Sequence, residues 1–191
     1  ASLLLFGYFL SGSRLLALSK NEQNSCRVRG AMVVVLILCS AILVTMTLVA
    51  GVFHSSNADV CSLFLVSLPV CFFPLLTNYI NNTAQGDNHI GRLALSRLLP
   101  ALLYIPVAYF IYDNYGATPK LMALLQWGIY SIVLSLLVLS TRPSFKNLGP
   151  VLKELRSENE KYGKHLYYGF VAMVATNYLA GFTLGLFNED N

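Results

Sequence analysis

Charge is what this sequence lacks most. Only 12% of its 191 residues are Asp, Glu, Lys or Arg, while 55% are hydrophobic. A soluble domain carries roughly 25% charged residues, and half that share cannot coat a globule of this size. Lipid is therefore the expected solvent for most of the surface. Cysteine is also sparse. Cys26, Cys39, Cys61 and Cys71 form no CxxC pair and have no histidine at zinc spacing, so they read as small apolar fillers rather than a metal site. His54, His89 and His165 are scattered at the edges of apolar runs, and the charge-based topology below puts them on opposite sides of a membrane. No metal site and no cofactor is expected.

Motifs of membrane-enzyme chemistry are missing as well. The chain holds no GxxxxGK[ST] phosphate loop, no HExxH, no GxSxG and no DxD pair. Asp59, Asp87 and Asp113 are single acids in connections. The net charge of +4 is spread over short segments between apolar runs, a pattern of membrane topology rather than of nucleic-acid binding. Asn81-Asn82-Thr83 matches the glycosylation pattern, but it falls at the basic, cytoplasmic edge of a run, where the match is accidental.

What the sequence does have is apolar runs, near residues 1–18, 31–53, 60–80, 96–115, 121–140 and 165–187. Each is close to the roughly 20 residues that span a bilayer. None alternates strictly as a β-barrel strand would, and in hydrocarbon a helix satisfies its own backbone hydrogen bonds. The expected fold is an all-α membrane protein, a polytopic bundle of about six transmembrane helices. Alternate connections carry four, two and six Lys or Arg, against none, one and none in the others. The positive-inside rule places the basic set in the cytoplasm.

The segment 142–164 is the one candidate linker. Pro150 suits the first residue of a helix. Val151, Leu152 and Leu155 share one face, while Lys153, Glu154, Arg156 and Glu160 take the rest, and Glu160 and Lys164 are spaced i,i+4. A short amphipathic helix on the cytoplasmic surface is expected. Residues 1–141 would then form a first bundle, 142–164 a linker, and 165–191 the first helix of a second bundle. Pro69 and Pro74 in the third run, and Pro100 and Pro106 in the fourth, are candidates for kinks, found in transporters and static bundles alike.

Polar residues near the membrane core are the candidate site. Asn78, Asn81, Asn82 and Gln85 form one stripe at i, i+3, i+4 and i+7. They line an aqueous cavity or emerge into headgroups. Asn177, mid-way along the last run, should face protein or water. Arg14 follows Ser11-Gly12-Ser13 inside the first run. It either faces a cavity and attracts an anion such as a diphosphate or snorkels to headgroups. Arg92 and Arg97 carry the same two readings. Gly181 and Gly185 form a GxxxG step suited to close helix packing.

The wording of several stretches resembles one family. Arg142-Pro143-Ser144-Phe145-Lys146, then Tyr162-Gly163-Lys164-His165-Leu166-Tyr167-Tyr168-Gly169, resembles the start of the second half of the polysaccharide-biosynthesis flippases. These are the O-antigen and capsule repeat-unit transporters of the multidrug/oligosaccharidyl-lipid/polysaccharide exporter superfamily. Ala175-Thr176-Asn177-Tyr178-Leu179 and Leu184-Gly185-Leu186-Phe187 continue the resemblance. Upstream, Ser11-Gly12-Ser13-Arg14-Leu15-Leu16-Ala17 resembles the end of the family's second helix, and Gln85-Gly86 followed by Arg92 resembles a cytoplasmic-side connection.

The resemblance covers nearly the whole chain through loose, apolar motifs. It implies part of a two-bundle transporter fold, helices two through seven of twelve or more, in the bacterial cytoplasmic (inner) membrane. The implied partner is an undecaprenyl-diphosphate-linked oligosaccharide, alongside the bilayer and other polysaccharide-assembly membrane proteins. Arg14, Arg97, Asn78, Asn82 and Asn177 would line the cavity, and no covalent bond would change, so the chain would not be an enzyme. Many relatives carry an acid just after the position of Leu179, where this chain has Ala180, so ion coupling there is not implied. The alternatives are an exporter of another amphiphile or drug, or a polytopic polymerase or ligase. The short connections 54–59 and 113–120 leave little room for a catalytic outer loop.

Overall fold

The computed structural model describes residues 7–19, 21–53, 58–116 and 118–188, with 58–60, 63, 177, 178 and 180–188 described by backbone alone. Helix is the regular structure throughout the described residues: α1 (Tyr8–Leu18), α2 (Glu22–Phe53), α3 (Ala58–Ser67), α4 (Phe73–Gly86), α5 (Ile90–Tyr115), α6 (Pro119–Ser140), α7 (Leu148–Glu158) and α8 (Lys164–Asn188). The expected all-α membrane bundle is what forms. Four segments among the described residues are long and apolar enough to cross a membrane: Glu22–Phe53, Phe64–Gly86, Ile90–Tyr115 and Pro119–Ser140.

The surface follows from lipid as solvent. On α5 only 11% of the most apolar stretch is buried, and Leu98, Leu102, Ile105 and Phe110 all lie open. The second half of α2 is likewise exposed at Ile37, Leu38, Met46 and Val52. In water such faces would drive association; in hydrocarbon they cost nothing. Packing contacts, not water exclusion, must then hold the helices together.

The core sits where α1, α2, α4, α6 and α7 meet, around Phe9, Met32, Leu75, Tyr79, Ile80, Leu134 and Leu155. The Phe9 and Tyr79 rings meet edge to face at 6.0 Å, a favoured aromatic geometry. Two glycines allow the closest approaches. A Cβ on Gly30 would fall on the carbonyl oxygen of Ser144, and one on Gly86 would lie 2.5 Å from the carbonyl oxygen of Ser13.

Several elements differ from the sequence expectation. The third run is two helices, because a 3₁₀ turn at Leu68–Val70 interrupts it at Pro69. Proline has no N–H to donate, so the ladder breaks there. The fourth run stays one helix through Pro100 and Pro106. Arg27 and Arg29 belong to α2, whose start at Glu22 precedes the apolar run. The apolar stripe of α7 is buried at Val151 and Leu155 against the bundle core rather than in a lipid surface. Helix α7 begins two residues before Pro150. Glu160 pairs backward with Arg156 at 3.2 Å. Between α7 and α8 the chain makes a π turn, Asn159–Gly163, so the linker runs into α8 without leaving helical geometry.

Candidate functional site

The three basic segments of the sequence meet at one end of the bundle. The backbone N–H of Ser144 donates to the carbonyl of Cys26 at 2.8 Å, strapping the α6–α7 connection onto α2. Arg29 Nε donates to Asp87 Oδ2 at 2.9 Å, with those side chains only 10% and 5% exposed. Its Nη1 donates to the carbonyl oxygen of Thr141 at 2.9 Å. Arg92 Nη1 lies 3.6 Å from the same carboxylate oxygen of Asp87. The Tyr79 hydroxyl donates to the carbonyl of Arg29 at 3.3 Å and lies 3.1 Å from Thr141 Oγ1. One buried carboxylate thus faces two guanidiniums, tying α2 and α5 to the α4–α5 turn, and Arg29 in turn holds the end of α6. A polar recess of about 400 Å³ opens beside it, lined by Glu22, Ser25, Arg29, Asp87 and His89 among others.

A second cleft lies between α1, α4 and α8. Pro74 in the first turn of α4 needs no donor partner there, and the helix then runs to Gly86. Asn78 and Asn82, one turn apart, share a face. Asn78 Nδ2 donates to the carbonyl of Pro74 at 3.0 Å, and Asn82 Nδ2 to that of Asn78 at 2.8 Å. Both amides are therefore fixed to their own helix. They line a cavity of about 100 Å³ with Gly7, Phe9, Leu10, Tyr167 and Phe170. One water needs roughly 10–15 Å³ by this kind of measure, so the space suits several waters or one ring-sized group. The adjacent Asn81 has its Oδ1 buried with no hydrogen-bond partner among the described residues.

No family model matches this chain. No curated protein and no solved structure matches it either.

The expected residues divide by place. Asn78 and Asn82 come together in the cleft. Arg14 sits on α1 with Nη1 2.5 Å from Glu158 Oε1 and its guanidinium 4.6 Å from the centre of the Tyr162 ring. Its charge is thus balanced and its plane covered, although the side chain stays 46% exposed. Arg97 is exposed on α5 and is not part of the cleft wall. Asn177 lies on α8, but its side chain, like those of Gly181 and Gly185, lies outside the described residues.

Two groups escaped the sequence reading. Tyr167 and Phe170 face the amides across the cleft, and their i,i+3 spacing in an apolar helix gave no hint that distinguished them from lipid-facing aromatics. Asp87 was visible as an acid in an otherwise basic connection; that contrast was the available signal for the buried pair. Among the described residues no three of His, Cys, Asp and Glu gather as a metal would require. The cleft is lined by the two amides, by aromatic rings and by aliphatic carbon.

Proposed function

We propose that this chain takes part in moving lipid-linked oligosaccharide repeat units across a bacterial inner membrane for surface polysaccharide assembly. The observation that carries the reading is the cleft in which Asn78 and Asn82 of α4 face Tyr167 and Phe170 of α8. By the resemblance above, α8 opens the second bundle of a two-bundle transporter, so the cleft falls at the seam between halves. Transporters of that build hold substrate at such a seam and expose it to each side in turn. An undecaprenyl-diphosphate-linked glycan would place its hydrophilic part in the cleft and keep its chain in lipid. The basic end, where Arg142, Lys146, Lys153 and Lys161 gather, would face the cytoplasm. No covalent bond changes in this reading, and no cofactor is needed.

The test is removal of the gene in its host. The reading predicts loss of the surface polymer, with single completed repeat units accumulating on their carrier in the cytoplasmic leaflet. Single units that reach the outer face without being polymerised would replace it with a polymerase reading. An unchanged surface would point to export of another amphiphile.

A further inference from the structure

We infer that the strap Arg142–Lys146, where the chain leaves α6, is a docking surface for an anionic phospholipid. Arg142 and Lys146, with Arg27 of α2 beside them, hold the phosphate, and Phe145 lies among the upper acyl carbons. The partner is a lipid of the surrounding bilayer, so the inference goes beyond the transport reading and stands whatever the chain moves.

Two membrane-crossing segments fix the depth of the strap. Helix α6 ends at Ser140, and the apolar run of α2 begins at residue 31, just after Arg29 and Gly30. The strap crosses α2 at that level. The carbonyl oxygen of Ser144 lies against Gly30, where a Cβ would strike it, and the Ser144 N–H donates to the carbonyl of Cys26 at 2.8 Å. Both segments thus pass from apolar to charged residues beside the strap. Lipid phosphates occupy that same boundary between hydrocarbon and water.

The strap is held in a costly shape that turns its aromatic outward. Arg142 and Asn147 both take left-handed backbone, each at φ 53°, which a residue with a Cβ adopts at a cost. Pro143 fixes the φ that follows Arg142. Pinned at Ser144 and turned at both ends, the strap leaves Phe145 55% exposed. A bare phenyl ring gains nothing in water. At the boundary between headgroups and acyl chains the same ring is buried in lipid.

Charge names the ligand. Among the described residues most guanidiniums at this end are already matched: Arg29 and Arg92 face Asp87, Arg14 meets Glu158, and Arg156 meets Glu160. The side chains of Arg142 and Lys146 are exposed and have no such partner among those residues. No acid occurs from Arg142 to Lys153. Arg27 is spaced i,i+3 from Gly30, which puts it on the flank of α2 that the strap crosses, and it too has no ion pair there. Three unmatched cations beside an exposed ring suit a phosphodiester that carries acyl chains. A zwitterionic lipid brings its own ammonium, which cancels part of that attraction. A free phosphate leaves the ring bare.

The experiment is quenching of tryptophan fluorescence by acyl-brominated lipid, on the full chain in nanodiscs. Trp127 is the one tryptophan of the chain. It lies on α6 roughly 20 Å before Ser140 at 1.5 Å per residue, so it reports the other half of the bilayer. The native chain is compared with Phe145→Trp in a Trp127→Phe background. The discs are phosphatidylcholine with a minor share of brominated phosphatidylglycerol or of brominated phosphatidylcholine. The glycerol lipid should quench the introduced tryptophan about two- to tenfold more effectively than the choline lipid, with no preference at Trp127. Arg27→Gln, Arg142→Gln and Lys146→Gln should each cut the preference about two- to fivefold, and molar salt should remove most of it. Lys120→Gln, exposed at the other end of α6, should leave it unchanged. Arg142 and Lys146 are exposed, so an unchanged melting temperature in phosphatidylcholine confirms that those variants fold. Equal quenching by the two lipids, the same preference at Trp127, or a preference indifferent to all three substitutions would each overturn the proposal. Loss of the preference in millimolar inorganic phosphate at matched ionic strength would assign the cations to a free anion and overturn the lipid.

Discussion

Asp87 holds Arg29 at 2.9 Å across 58 positions of the chain, with both side chains almost wholly buried. The same carboxylate also faces Arg92. Breaking a buried pair from one side leaves an uncompensated charge, at a cost of about 3–5 kcal/mol. Asp87→Ala strands two guanidiniums, so it should cost at least as much as Arg29→Ala. Thermal unfolding in detergent of the two single variants and the double variant measures this. The double variant should be less damaged than the sum of the singles; strict additivity would mean the pair is not coupled.

Tyr79 should show a smaller, separable effect. Tyr79→Phe keeps the ring against Phe9 and removes only the hydroxyl shared with Arg29 and Thr141. The expected loss is about 0.5–1.5 kcal/mol for a hydrogen bond, read by the same unfolding measurement. Tyr79→Ala removes a fully buried ring and should cost about 3–5 kcal/mol.

Glycine substitutions should separate by place. Gly30→Ala puts a methyl onto the Ser144 backbone, which cannot swing aside, so it should destabilise by about 1–3 kcal/mol. Gly128→Ala on α6 meets nothing within 4 Å and should leave the melting temperature unchanged or raise it. Equal losses at both positions would contradict the packing at the α2 crossing.

Much of the architecture was legible because lipid leaves so few options. Runs of apolar residues without charge dictate helices, and four such segments among the described residues are long and apolar enough to cross a membrane. The site was half legible. The stripe of Asn78 and Asn82 showed in i,i+4 spacing, and the structure sets both in one cleft. Tyr167 and Phe170 were not, because an aromatic that faces lipid and one that faces a cleft look alike in sequence. Arg14 was singled out for its position within an apolar run, yet its partner Glu158 lies 144 positions away, and no local pattern connects them. Pro69 sits in a 3₁₀ turn between two helices while Pro100 and Pro106 lie inside one continuous helix, so the residue type alone does not give the outcome.

Orientation is open to chemical labelling. Lys153 on α7 and Asp113 on α5 are both exposed, at opposite ends of the bundle by connectivity. In intact cells Asp113→Cys should react with an impermeant maleimide, and Lys153→Cys only after the membrane is opened. The reverse pattern would invert the proposed topology.

The most direct measurement is flipping itself. The full-length protein is reconstituted into liposomes carrying a fluorescent undecaprenyl-diphosphate-linked sugar, and a glycosidase is added outside. With protein present, the fraction cleaved should rise from the outer-leaflet half toward completion, and Asn82→Leu should slow that rise. A cleaved fraction that stays at one half, with protein correctly inserted and folded, would contradict the account.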